Sequence, residues 1–285
     1  MKIGMIVDKN GYERFGDEKY IKLKAHGYDC ADYNMADTET PLYEASEEEA
    51  KAMLCKEKKL AQEAGVEISQ VHGPWTWPIR EVTEEGRAER LFNMKKSIRY
   101  TALLGCKNWV IHPHMPFDIK DIGTGHEQMT YDKNIEFFRE LLKTAKECGV
   151  TICLENMPMR EFSLAKPDKI LEIVNEINDD NFKICLDTGH VAAFKELSVG
   201  DEVRKLGDKI RTFHIHDSFP DNDLHLMPYF GVIDWKDFIE SLKEINYQGV
   251  FSLETLPSRK LSTPIFEEMS ISLAKLAREP IQDIS

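Results

Sequence analysis

Along this chain a helical pattern repeatedly stops, often at a glycine, and a short apolar run follows that ends in polar side chains. The joins read His26-Gly-Tyr-Asp-Cys-Ala-Asp-Tyr33, Ala64-Gly-Val-Glu-Ile-Ser-Gln-Val-His72, Leu104-Gly-Cys-Lys-Asn-Trp-Val-Ile-His112 and Cys148-Gly-Val-Thr-Ile-Cys-Leu-Glu155. The stretches 182–187, 209–217 and 247–254 repeat the arrangement, and residues 1–8 supply an eighth strand. Glycine tolerates the left-handed conformation that ends a helix. The runs that follow suit strands buried on both faces, as a parallel sheet requires. Helices are predicted over 13–26, 46–64, 84–104, 130–148, 167–178, 198–207, 234–245 and 264–278. Ser46, Thr83 and Asp234 are their clearest N-caps, with acidic residues following in the first turn. Eight strands alternating with eight helices close most simply into an α/β, single-domain (β/α)8 TIM barrel over residues 1–285. A doubly wound open sheet is the runner-up, but it would not gather so many strand ends around one centre. No Gly-x-Gly-x-x-Gly or Walker-type loop supports nucleotide binding.

Six consecutive strands end in side chains able to hold a metal: His72, His112, Glu155, Asp187, His214 and Glu254. In a parallel barrel those ends converge on one mouth. His190 follows Asp187 by three residues, and Asp223 and His225 flank one residue of a later loop, so nine candidates can face one cavity. A lone strand-end histidine such as His72 is more often a hydrogen-bonded structural residue than a ligand. Glu155, Asp187 and Glu254 are different. A carboxylate entering a core must pair or bind a cation, and no Lys or Arg occupies a matching strand end.

His214 and His216 share one strand face. His214 reads as a ligand, and His216 as a contact to substrate or to a neighbouring carboxylate. Asp217 faces the other way and reads as a loop cap. His114 and His126 read as surface groups, and His26 as a partner of a helix dipole. Trp75 and Trp77, just after the third strand, read as a substrate wall, whereas Trp109 reads as core. Arg80 and Arg160 read as surface residues within reach of a phosphate.

Acidic residues outnumber basic ones 50 to 37, giving a net charge of −13. That balance repels polyanions, and Lys56-Glu-Lys-Lys59 reads as a solvated helical face, so no nucleic acid is expected as a partner. The apolar N-terminus stops at Asp8, too short for a signal peptide, and no run approaches membrane-spanning length. Six cysteines without a Cys-x-x-Cys pair read as buried, reduced thiols of a cytoplasmic protein.

The segments Cys153-Leu-Glu-Asn, Cys185-Leu-Asp-Thr-Gly-His, Phe213-His-Ile-His-Asp, Asp223-Leu-His-Leu, Gly231-Val-Ile-Asp-Trp and Gly249-Val-Phe-Ser-Leu-Glu resemble the xylose-isomerase-like barrel superfamily. It holds sugar and sugar-phosphate isomerases and epimerases alongside metal-dependent apurinic-site endonucleases. The resemblance covers nearly the whole chain and is specific for the superfamily rather than for a reaction. In the epimerase branch the metal is held by Glu, Asp, His and Glu, which here fall on Glu155, Asp187, His214 and Glu254. In the endonuclease branch three zinc ions also use residues matching His72, His112, His190, Asp223 and His225. The stretch Tyr229-Phe-Gly-Val-Ile-Asp-Trp235 resembles the Gly-x-Gly-x-x-x-Trp ending of the isomerases, from which Phe230 departs.

Carboxylate and imidazole donors suit Mn2+ or Zn2+ first, with Mg2+ and Co2+ admitted. The expectation is a sugar or sugar-phosphate isomerase or epimerase working through a metal-stabilised enediolate, with Glu155 and Glu254 as the paired base and acid. Trp75, His190, His216 and His225 are the expected substrate contacts. A zinc-dependent phosphodiester hydrolase, a non-catalytic sugar-binding barrel, and a lyase or dehydratase stay open as alternatives, as does association with further copies of the chain. The loop 218–233 contains no Lys or Arg, which favours sugar over a DNA backbone.

Overall fold

The structure is a computed structural model describing residues 1–9, 11–75, 79 and 82–282. Its strands are β1 (Lys2–Val7), β2 (Cys30–Asn34), β3 (Glu67–His72), β4 (Asn108–Ile111), β5 (Thr151–Glu155), β6 (Phe182–Asp187), β7 (Ile210–His214) and β8 (Val250–Leu253). Each pairs in parallel with its neighbours, in the order β7-β6-β5-β4-β3-β2-β1-β8. The ends meet where Ile215 N donates to Ser252 O (2.8 Å) and Glu254 N donates to Ile215 O (3.0 Å). The sheet therefore curls into the expected nearly closed barrel rather than staying open.

The helices are α1 (Lys19–Ala25), α2 (Pro41–Glu44), α3 (Glu47–Glu63), α4 (Glu84–Leu104), α5 (Glu127–Cys148), α6 (Pro167–Ile177), α7 (Thr188–Ala192), α8 (Val199–Leu206), α9 (Trp235–Glu244) and α10 (Thr263–Arg278). Ser46 and Glu49 form a reciprocal capping box on α3. Thr83 accepts from Gly86 N on α4, and Asp234 from Asp237 N on α9. The first predicted helix is instead a 3-10 run over Tyr12–Glu18 followed by α1, with Gly16 at φ 54 breaking the regular pattern. The one-turn α2 and α7 were not read from sequence. Asp187 starts α7 by accepting a hydrogen bond from His190 N (2.6 Å), which brings His190 back toward the strand end.

The main core lies between barrel and helices, while Val110, Cys153 and Cys185 form a small apolar cluster of their own. Trp109 is fully buried, as expected, and donates to Ser97 Oγ (2.9 Å). All six cysteines are free, but Cys55 is exposed and Cys148 half-buried, so burial holds for only four of them. His26 is not a solvated dipole partner. It is buried against Tyr12, whose hydroxyl lies 2.8 Å from His26 Nδ1, and burial lowers its pKa despite the nearby Glu267. Among the described residues no helix is long and apolar enough to cross a membrane.

Replacing Ser46 with Ala removes the α3 capping box and is expected to cost about 1 kcal/mol in a urea unfolding titration, with no change in the m-value.

Candidate metal centre and active site

Glu155, Asp187 and His214 end adjacent strands and are fully buried, and Glu254 follows β8 directly. The register pairs Asp187 with His214 and Glu155 with Cys185, so the backbone itself sets these side chains beside one another. His214 Nδ1 lies 2.8 Å from Glu155 Oε1 and 3.3 Å from Glu254 Oε2. Donor atoms about 2 Å from a shared ion stand about 3 Å apart, so this spacing suits one cation.

The other candidates surround this core. His112 Nε2 is 3.2 Å and His72 Nε2 3.9 Å from Glu155 Oε2, an oxygen that forms no hydrogen bond among the described residues. His190 Nδ1 donates to Asn156 O (2.7 Å) and lies 3.8 Å from Glu155 Oε1 and 3.7 Å from Asp187 Oδ1. His216 Nε2 sits 3.0 Å from Asp187 Oδ2, and its ring stacks on His225 with centroids 4.1 Å apart. Asp223, on the more exposed side, lies 3.5 Å from His190 Nε2 and 3.4 Å from His225 Nε2. All nine predicted donors therefore meet at one end of the barrel. His72, His112 and Glu155 form one close trio, and His216, expected as a contact rather than a ligand, joins Asp187 and His190 in a second and Asp223 and His225 in a third.

The electrostatics follow from crowding acids where water is excluded. Burial pushes Glu155 up, yet His214 and His112 hold its pKa well below the usual carboxylate value. Burial opposes a charge on His214, but Glu155 and Glu254 beside it raise its pKa well above that of an ordinary histidine. Against the same opposition, Asp187 and Asp223 push His190 up to about 10, and Asp223 and Glu254 push His225 up to about 10. Burial dominates for His112 and lowers it to about 4. The upward push on these three rings answers a need for positive charge that one or more divalent ions would also meet. The donor set, its spacing and the oxygen of Glu155 without a hydrogen bond fit such an ion.

Several supporting residues were not read from sequence. Asp32, on β2, accepts from His214 Nε2 (2.9 Å) and from Gln70 Nε2 (2.8 Å). Asn156 Oδ1 accepts from Asp187 N (2.8 Å), and its Nδ2 donates to Asp187 O (3.1 Å). Arg90 is buried and donates to the carbonyls of His112 (3.3 Å) and Pro113 (3.4 Å). Gly189, inside Asp-Thr-Gly-His, lies against the His216 ring, where any Cβ would overlap it.

Trp75 stands edge-on to His112, with centroids 4.5 Å apart, at the expected wall of the mouth. Trp77 and Arg80 lie outside the described residues. Asp217 caps its loop as expected, accepting from Ser218 N (2.9 Å), Ile233 N (3.2 Å) and Trp235 Nε1 (2.9 Å). His114 is not a surface group. It is buried, clamped by Asn134 on both backbone atoms and stacked on Phe137. His126 is half-buried on Phe117. Arg160 is held at the surface by Glu196 and Asp221 (2.8 Å each).

A family model described as the xylose isomerase-like TIM barrel matches residues 21–276. The chain is 33% identical over 117 residues to a D-psicose 3-epimerase of Enterocloster bolteae, covering 41% of this chain and 37% of that one. It is 24% identical over 188 residues to a probable endonuclease 4 of Metamycoplasma arthritidis, covering 60% and 64%. The structure of D-psicose 3-epimerase with D-tagatose from Clostridium cellulolyticum H10 aligns at a TM-score of 0.77 and 19% identity, over 99% of each chain, a likeness of fold. The first curated relatives are matched over less than half of their own length.

Three outcomes are expected. Zn2+ or Mn2+ added to chelator-treated protein at neutral pH releases protons, seen as buffer-dependent heats in calorimetry, and its apparent affinity falls as pH falls. At 100 times the dissociation constant the ion stabilises the fold by about 2.7 kcal/mol, read as a rise in melting temperature. Replacing Gly189 with Ala displaces the His216 ring, and calorimetry should show at least tenfold weaker metal binding.

Proposed function

Because the chain belongs to the xylose isomerase-like TIM barrel family, we propose that it is a metal-dependent isomerase or epimerase of a sugar or sugar phosphate. One observation carries this reading. Glu155 and Glu254 approach the same nitrogen of His214, yet their surroundings drive their protonation apart. Burial raises Glu155, but His214 and His112 outweigh it and keep it ionised. Burial also raises Glu254, and the charges of Glu155 and Asp187 help to keep its pKa above the usual value. Two carboxyls pushed in opposite directions by their surroundings are the asymmetry that a base and an acid beside one carbonyl require.

A divalent ion bound by Glu155, Asp187, His214 and Glu254 would polarise the ketose carbonyl and neutralise charge on its oxygen. Glu155 takes the proton from the neighbouring carbon, leaving an enediolate. Glu254 returns a proton from the other side. A proton taken from C3 and returned to C3 on its opposite face gives an epimer, whereas one taken from C1 with return to the former carbonyl carbon gives an aldose. Trp75 walls the mouth beside His112, and His190, His216 and His225 offer ring nitrogens to sugar hydroxyls. The sugar epimerase among the relatives supports this substrate class.

A second reading has its own observation in favour. The full set of nine donors is the one expected for three ions, and one relative is a probable endonuclease 4. That chemistry also needs a grip on a polyanion. Loop 218–233 has no Lys or Arg, and Arg160 is engaged by two acids.

In heavy water, wild-type protein is expected to put deuterium into a ketose such as fructose, psicose or tagatose. Glu155→Gln should abolish that exchange, and exchange retained in the variant removes Glu155 as the base. Glu254→Gln should keep exchange but slow product formation about 10²–10⁴-fold. Cleavage of an abasic-site duplex by protein carrying three ions, with no sugar exchange, would decide for the nuclease.

A further inference from the structure

We propose that Asp32, oriented by Gln70, is a positioning residue that fixes which nitrogen of His214 is free to meet a metal. The inference rests on the metal-site reading above and adds to it a residue on the far side of the barrel. Asp32 and Gln70 are buried inside the barrel on β2 and β3, which are not neighbours of β7 in the sheet. The link to His214 therefore crosses the interior.

The hydrogen bonds assign themselves by chemistry. The side-chain nitrogen of Gln70 faces two acceptors, Asp32 Oδ2 (2.8 Å) and Phe213 O (3.1 Å), so both amide hydrogens are spent and the amide cannot be turned over. A carboxylate only accepts, so the 2.9 Å contact from Asp32 Oδ2 to His214 Nε2 requires the proton to sit on Nε2. That leaves Nδ1, facing Glu155 Oε1 and Glu254 Oε2, as the nitrogen that either takes a second proton or donates its lone pair to a cation. Gln70 also holds the peptide carbonyl just before His214, so one side chain restrains both the carboxylate and the backbone it serves. A carboxylate on the distal nitrogen aims a ligating imidazole and raises its basicity, and loss of such a partner typically weakens metal binding 10–100-fold.

The test uses nitrogen-15 NMR of the histidine rings together with Zn2+ calorimetry. In wild-type protein, with and without Zn2+, His214 Nε2 should carry a proton. An unprotonated Nε2 in either state overturns the proposal, and this measurement needs no variant. Asp32→Asn should still bind Zn2+, 10–100-fold more weakly, with His214 distributed between tautomers. Gln70→Met, which keeps the carboxylate, should show a smaller loss of affinity in the same direction. Unchanged affinity and tautomer in folded Asp32→Asn also overturns it. Wild-type protein that binds no Zn2+ or Mn2+ but keeps the proton on Nε2 would sink the metal reading while leaving the role of Asp32 intact.

Discussion

Three carboxylates, Glu155, Asp187 and Glu254, are gathered at the mouth of a barrel whose walls are apolar, and their ion-pair partners among the described residues are all histidines. Bringing like charges together out of water costs several kcal/mol unless positive charge is brought with them. The ring of imidazoles is the response. A histidine can balance an acid as a protonated ring, or give up the proton and hold an ion that balances it instead. Much of the local architecture serves that exchange. Gly189 leaves room for His216, Asn156 pins the Asp187 backbone, and Asp187 itself opens the short helix that returns His190.

The barrel and the donor set were legible because both are written at strand ends. Alternating helix and strand patterns fix the topology, and a carboxylate closing an apolar run stands out when no basic residue matches it. Asp32 met the same criterion, since Cys30-Ala-Asp-Tyr33 also carries an acid into a buried strand, but it lies within the strand and its partner is 182 residues away. His114 was misread because it follows a strand, as loop residues do. Its burial comes from Asn134, and nothing local announces a side chain that satisfies both backbone atoms of a distant residue. His26 shows the converse. Its place at a helix end was right, yet its environment is set by Tyr12 and Glu267 from other elements.

What separates sugar chemistry from phosphodiester chemistry here is the surface around the donors. The same nine side chains would serve either, because both reactions ask for charge neutralisation at oxygen. A duplex must also be held along its backbone, and the rim after β7 offers Phe219, Leu224, Tyr229, Phe230 and Val232 to solvent, with Asp221 and Asp223 between them. Gly231 allows that loop to fold tightly on Asp217, whose carboxylate any Cβ would overlap. The Gly-x-x-x-Trp spacing thus has a mechanical origin, since Trp235 binds the same carboxylate. It reports how the rim is anchored rather than what the rim recognises.

The depth of the site depends on two irregularities that periodicity alone could not supply. Between β2 and β3 the pairing runs Ala31 with Ile68 and then Asp32 with Gln70, so Ser69 is an extra residue on β3. Between β6 and β7 it runs Ile184 with Ile210 and then Cys185 with Thr212, which makes Arg211 extra on β7. A one-residue slip exchanges the two faces of a strand, and inserted residues are a common way to re-aim side chains near active sites. In an unbroken register Asp32 would lie opposite Ser69, and Gln70 opposite Tyr33. Likewise Asp187 would lie opposite Phe213 rather than His214. Two strands thus each spend one residue to bring a polar layer into register, and the chemistry at the mouth is built on that offset.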